Sequence, residues 1–217
     1  MVNKELEELA AQLRQPSGAK GIEVAVMMNE TNIRMTHHSI DQLGMLDRDN
    51  ILELGHGNGG HLSYLFEQNA GVTYYGLEIS ALMHEEAKQV NQSFINRKQA
   101  AFYMYDGLHI PFAGDHFDKV FTVNTLYFWT EPELLLAELY RVIKPGGILN
   151  ITFAQKDFME QLPFTSFGFT LYDHEKIKQL IGSSPFRYIS SATQTEKIKS
   201  KTGDLVDREF LTVTLGK

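Results

Sequence analysis

The chain has 217 residues, enough for one domain with a small appendage and for a core that needs no disulfide or metal staples. Asp plus Glu number 27 against 20 Lys plus Arg, and the net charge of -7 argues against a nucleic-acid partner held through its phosphates. Cysteine is absent, which excludes disulfides, thiolate nucleophiles, iron–sulfur clusters and zinc–cysteine sites and suits a cytoplasmic protein.

The opening MVNKELEELAAQLRQ is charged and reads as a helix rather than a signal or transit peptide. Leu6, Leu9, Ala10 and Leu13 recur at helical spacing, Asn3 is the expected N-cap, and Pro16, Ser17 and Gly18 end the element. From Gly21 to about Leu43 a second stretch reads as helix with breaks. A strand is expected over Ile51–Leu54, then a helix with Leu62, Leu65 and Phe66 on one face. Val72–Leu77 reads as the second strand, followed by a Ser80-capped helix with Met83, Ala87, Val90 and Phe94 inward. Strands over Ala101–Met104 and Phe117–Val123 come next. Thr130 and Glu133 predict a capping box with Pro132 in the first turn, and Leu135, Leu139 and Val142 face inward. Pro145, Gly146 and Gly147 turn the chain into a fifth strand, Ile148–Phe153. Asp173 caps a short helix running to Ile181. Finally, Thr195–Lys201 and Arg208–Leu215 flank a turn at Thr202, Gly203 and Asp204, an antiparallel hairpin at the sheet edge.

Strands alternating with helices predict an α/β fold with a mostly parallel sheet. Ligands of such sheets sit beyond the carboxyl ends of the strands. The composition changes near Asn50, so residues 1–49 are expected to form a helical lid on a domain spanning 50–217. No apolar run approaches the ~20 residues of a membrane span.

ILELGHGNGG, Ile51 to Gly60, carries the strongest chemical signal. Four glycines in six residues let backbone adopt left-handed conformations and let a ligand approach closely. Gly55, Gly57 and Gly60 satisfy the dinucleotide pattern, whereas Gly55, Gly57 and Gly59, preceded by Glu53, give G-x-G-x-G. Charge bears on the choice. A carboxylate at the strand end repels a pyrophosphate but attracts the sulfonium and ammonium of S-adenosylmethionine. Glu78 follows Gly59 by nineteen residues, the spacing of a ribose-binding acid. Asp106, followed by Gly107, ends the third strand, where a carboxylate can accept from an adenine amino group.

The ordered set ELGHGNG, YYGLEIS, YDG, FDKVFTVNTLYFW and ELYRVIKPGGIL, over about Asn50 to Phe153, resembles the motifs of class I S-adenosylmethionine-dependent methyltransferases. It is most similar to the small-molecule branch around the ubiquinone and menaquinone methyltransferases, which carries the type-11 methyltransferase domain. The resemblance implies a Rossmann-like fold with a seven-stranded sheet. It also implies S-adenosyl-L-methionine held at Glu53, Gly55, His56, Gly57, Asn58 and Gly59, with ribose at Glu78 and Ile79 and adenine at Asp106 and Gly107. Asn124 and Thr125 fall at the family's edge between cofactor and acceptor.

In-line displacement from a sulfonium needs positioning more than acid–base help, and a base only where the acceptor must lose a proton. The weak candidates for that role are His37, His56 and Tyr127, with His38 beside them. His61, His84, His109, His116 and His174 read as solvated or structural, and no metal spacing appears. Phe128 and Trp129 either wall an acceptor pocket or pack in the core. The apolar run Phe158, Leu162, Phe164, Phe167, Phe169 and Tyr172 favours a small acceptor that is partly apolar or aromatic. Two other readings stay open at this point: a nicotinamide-dependent oxidoreductase and a non-catalytic cofactor-binding protein.

Overall fold

The computed structural model describes residues 2–199 and 205–217. Two helices lead, α1 (Val2–Arg14) and α2 (Gly18–Asp41). Then come β1 (Asn50–Leu54), α3 (Leu62–Gln68), β2 (Thr73–Glu78), α4 (Ala81–Val90), α5 (Gln92–Asn96), β3 (Ala100–Met104) and β4 (Phe117–Val123). The chain ends with α6 (Pro132–Val142), β5 (Ile143–Ala154), α7 (Lys156–Met159), α8 (His174–Gly182), β6 (Arg187–Lys199) and β7 (Leu205–Gly216).

One sheet holds all seven strands in the order β3-β2-β1-β4-β5-β7-β6. β7 pairs antiparallel with both β5 and β6, so six strands share one direction and β7 opposes them. The expected Rossmann-like α/β sheet with its antiparallel C-terminal hairpin is therefore present. The order reverses between β1 and β4, the point at which sheets of this kind leave a crevice.

Side-chain alternation sends successive residues of each strand to opposite faces. On one face Ile51, Tyr74 and Phe121 pack with Leu62, Leu65 and Phe66 of α3 and Ile40 of α2. On the other, Leu52, Leu54 and Val120 join Leu135, Leu139 and Val142 of α6. Leu52, Leu54, Leu62, Leu65 and Leu139 are fully buried, a burial that contributes roughly 1.5–3 kcal/mol for each such side chain. The period also puts Glu53 on the face of Ile51, beneath α2 and α3.

Several local expectations are corrected. α2 is one unbroken helix of 24 residues, because its buried positions Val24, Ala25, Met35 and Ile40 keep one face on the domain. Asn3 lies inside the first turn of α1 rather than capping it. The helix after Ser80 stops at Asn91, leaving Val90 55% exposed and Phe94 on α5. No side-chain cap forms at Thr130; Glu131 takes the N-cap position and Pro132 begins the helix. β5 already pairs at Ile143 with Phe117, and Lys144 to Gly147 bulge out before pairing resumes at Ile148 with Lys119. The hairpin strands begin earlier and run longer than read, while the turn at Thr202, Gly203 and Asp204 lies outside the described residues. Ser80 and Asp173 do cap their helices, accepting from the backbone N–H of Met83 and Lys176.

Candidate functional site

At the carboxyl ends of β1, β2, β3 and β4 lies a cleft with about 1060 Å³ of open space, counting the part that meets solvent. Its floor holds Glu53, Gly55, His56, Gly57 and Asn58 from the first loop, with Glu78, Ile79 and Gly107 from the next two strand ends. Asn124 and Thr125 form the far edge. α1 and α2 supply the roof, through Leu13, Arg14, Met28, Asn29, Asn32 and Thr36.

The loop conformation separates the two glycine patterns. Gly55, Gly57 and Gly59 all have left-handed φ, at 72°, 56° and 62°, and Gly60 does not. These are the three positions of G-x-G-x-G, where an L side chain costs roughly 1–2 kcal/mol. Gly55 carries a second constraint, since a Cβ there would stand 2.4 Å from the Thr125 Cγ2 atom. Gly57 has nothing within 4 Å of that position, so its backbone is open to the cleft. Gly59 does not line the cleft; a Cβ would meet the Asn91 amide at 2.8 Å, and its role is close packing of the loop on α4.

Two buried acids anchor the floor. Glu53 is 3% exposed, and its Oε2 accepts from His61 Nε2 at 2.7 Å and from the Tyr74 hydroxyl. Burial, with Glu53 alongside, raises the Tyr74 pKa far above its usual range and keeps the phenol a donor. The Glu78 carboxylate accepts from the N–H of Gly57 (3.1 Å), Ile79 (2.8 Å) and Ser80 (3.0 Å). Burial nevertheless pushes its pKa up, against those three bonds. A single side chain thus ties the end of β2 to the loop after β1.

His56 is buried in that loop. Its Nδ1 donates to the Gly57 carbonyl at 2.7 Å, since a carbonyl only accepts. Its Nε2 is buried without a protein partner, and its ring stands edge-on to Phe102. Burial lowers its pKa to about 4, so it is neutral at pH 7 and a weak base.

The remaining expected residues fall elsewhere. Asp106 is exposed outside the main cleft, beside a shallower depression shared with Arg14, Ile79 and Tyr105. Its carboxylate accepts from the N–H of Leu108 and His109 and from the His109 ring, which hold its pKa near 2. His37 stacks on Tyr64 at 3.7 Å, and His38 stands edge-on to Phe210. Neither lines the cleft, and burial lowers both pKa values. Tyr127 is 3% exposed behind the wall, its hydroxyl within 2.9 Å of the Ala154 carbonyl and 3.0 Å of Asn124 Oδ1. Phe128 and Trp129 do line the cleft. Phe158, Leu162, Phe169 and Tyr172 instead pack with the core around α6 and β5, and none of the apolar run reaches the cleft. Tyr172 is buried there and the rest of the run half-buried, away from the cleft, which removes the run as a reason for an apolar acceptor.

Tyr74 and Asn91 escaped the sequence reading as site residues, and His61, expected to be solvated or structural, takes the structural place beside Glu53. His61 is buried and faces the cleft, not solvent. Tyr74 shares the face of Glu53 through strand alternation, a signal that was available. Asn91 donates to the Gly59 carbonyl at 3.1 Å, and a sequence that reads as one helix through Phe94 carries no signal of it. Among the described residues no cluster of His, Asp or Glu is arranged to hold a metal ion.

Residues 52–151 match a family model described as a methyltransferase domain. The uncharacterized methyltransferase YdaC of Bacillus subtilis is 26% identical over 132 residues, covering 60% of this chain and 70% of that one. A fatty-acid O-methyltransferase of Mycolicibacterium smegmatis is 27% identical over 128 residues, 59% of this chain but only 45% of the relative. A solved S-adenosylmethionine-dependent methyltransferase of Aquifex aeolicus shares the fold, with a TM-score of 0.65 at 18% identity over 85% of this chain and 93% of that one. A left-handed G-x-G-x-G loop, a buried acid on each side of it and this family match agree on a methyltransferase domain over residues 52–151, set in the fold of S-adenosylmethionine-dependent methyltransferases.

Proposed function

We propose that the cleft binds S-adenosyl-L-methionine across the β1–β4 switch point and passes its methyl group to a small molecule held under α1 and α2. The carrying observation is the floor, where Glu53 and Glu78 flank three left-handed glycines. The residues fit the cofactor. Gly57 offers bare backbone to the ligand, and Glu53 supplies negative charge for an ammonium and a sulfonium. His61 and Tyr74 fix the Glu53 carboxylate by its Oε2. Glu78, Ile79 and Gly107 are assigned to the nucleoside, with Asp106 shaping the turn beside it through its bonds to Leu108 and His109.

When bound, the sulfonium supplies an electrophilic methyl carbon and a neutral thioether leaving group. The protein aligns and desolvates. Phe128 and Trp129 exclude water on one side and Met28 on the other. His37 and Tyr127 are assigned no proton transfer, because neither lines the cleft; His56 is assigned to holding the loop. The acceptor space combines apolar Leu13, Met28 and Trp129 with the amides Asn29 and Asn32. That mixture suits a partly apolar acceptor with a polar end, and one relative is named for a fatty acid. The net charge of -7 supports a small molecule over a nucleic acid, and the absence of cysteine supports a cytoplasmic location. No helix among the described residues is long and apolar enough to cross a membrane. Residues 1–49 act as the lid and 50–217 as the catalytic domain.

Isothermal calorimetry tests the cofactor site. S-adenosylmethionine should bind the wild type and bind Glu53→Gln about tenfold more weakly, the scale of one charge-assisted contact. Absence of heat at millimolar ligand, or equal affinity in the variant, sinks the assignment.

A further inference from the structure

Asn32 stands on α2 with its side chain on the cleft wall. Behind it lies Arg208 of β7, which is 4% exposed and 176 residues away in the chain. Arg208 Nη1 donates to Asn32 Oδ1 at 3.0 Å. Its Nε and Nη2 bind Glu196 Oε1 at 3.1 and 2.6 Å, and Nη2 also reaches the Thr31 carbonyl. Glu196 is 3% exposed. The guanidinium is therefore clamped from three sides in a dry setting.

An amide's two ends are ordinarily interchangeable in a structure, but a guanidinium can only donate. The atom of Asn32 facing Arg208 must be its oxygen. The amide orientation follows, and the NH₂ group is turned away from Arg208. Among the described residues that NH₂ has no partner, and it is not among the buried side-chain atoms left without one. Asn32 lines the cleft, so its two N–H donors are presented to what the cleft holds. Asn29, one helical turn earlier, lines the cleft with a second amide that forms no hydrogen bond among the described residues.

We infer that Asn32, positioned by the buried Arg208–Glu196 pair, is a specificity-determining donor. It selects methyl acceptors whose polar end is a hydrogen-bond-accepting oxygen, a carboxylate or an enolate-type oxyanion, over amines. This rests on the cofactor reading above, since it places the acceptor beside the donor nucleoside. The hairpin then shapes the substrate site without touching it, and Arg208 is a positioning residue.

Hexanoate and hexylamine test this, as probes alike in their chains and opposite in their polar ends. Each is titrated by NMR into protein saturated with S-adenosylhomocysteine. Hexanoate should bind the wild type at least tenfold more tightly than hexylamine. Asn32→Asp keeps an oxygen toward Arg208 and turns an acceptor to the cleft, so it should remove or reverse that preference while S-adenosylhomocysteine affinity stays within twofold. Because Asn32→Asp also adds a negative charge, Asn32→Leu is the neutral control: it should remove the preference without reversing it, whereas a purely structural role would weaken both probes together. Preference for hexylamine in the wild type, an unchanged preference in Asn32→Asp, or no binding of either probe at 50 mM overturns the inference. Failure of S-adenosylhomocysteine to bind the wild type is a different result, and it overturns the cofactor reading instead.

Discussion

The floor and the roof of the cleft are built in contrasting ways. The floor is backbone: left-handed glycines, strand ends and two acids reached by strand alternation, all within Asn50 to Asn124. The roof is side chains on α2, and its orientation depends on a hairpin at the far end of the chain. A floor made of backbone tolerates little substitution but is specified by short stretches of sequence. A roof made of side chains can be re-aimed, at the expense of long-range contacts that hold it. The same sheet can thus keep one cofactor site while the roof changes with the acceptor.

The sharpest way to break this contrast is at Arg208. Arg208→Met leaves the buried Glu196 carboxylate without its main partner, and among the described residues with only exposed Arg34 at 3.7 Å from its other oxygen. Unfolding by urea should show a loss of about 3–5 kcal/mol. Replacing Glu196 by Leu in the same chain should restore much of it, since a pair exchanged for apolar groups is near neutral. A loss below about 1 kcal/mol would mean that the hairpin does not hold the roof.

On the floor, Gly55 and Gly57 separate backbone strain from close approach. Gly55→Ala meets both a φ of 72° and the Thr125 methyl, and should cost roughly 2–5 kcal/mol. Gly57→Ala meets only a φ of 56° and should cost about 1–2 kcal/mol. Equal urea midpoints for the two variants would show that the Thr125 contact adds nothing.

A last effect is one of pH. Burial lowers the His56 pKa from 6.5 to about 4, so between those values the unfolded chain takes up a proton that the folded loop refuses. Its stabilising contribution is complete above pH 6.5 and is lost as pH falls toward 4. His37, His38 and His84 shift the same way and add to the slope. Melting temperature measured from pH 7 to pH 4 should fall, and His56→Gln should flatten the curve. An unchanged slope would mean that the ring is not sealed in the loop.

How much of this was legible depends on the range of each signal. The strand ends at Leu54, Glu78 and Met104 could be read because apolar runs stop at glycine or acid within a few residues. Asp173 and Ser80 were legible as caps because a cap acts over three residues. Thr130 looked like a cap and is not one, since packing set the start of α6 one residue later. The apolar run from Phe158 to Tyr172 looked like a pocket wall, but composition does not say which surface an apolar side chain covers. Val90 kept its helical period and still emerged exposed, because the helix broke at Asn91.

The amino-acid sequence by itself determined the alternation of strands and helices, the left-handed loop and the acids around it. Those depend on backbone preference and on periods of two or 3.6 residues, which neighbours in the chain carry. Only the tertiary structure decided that His61 and Tyr74 grip Glu53, that Asp106 accepts from the Leu108 and His109 backbone, and that Arg208 fixes which end of Asn32 meets the cleft. Each of these needs a geometric match between groups, most of them far apart in sequence, and no local propensity encodes where a guanidinium will find its oxygen.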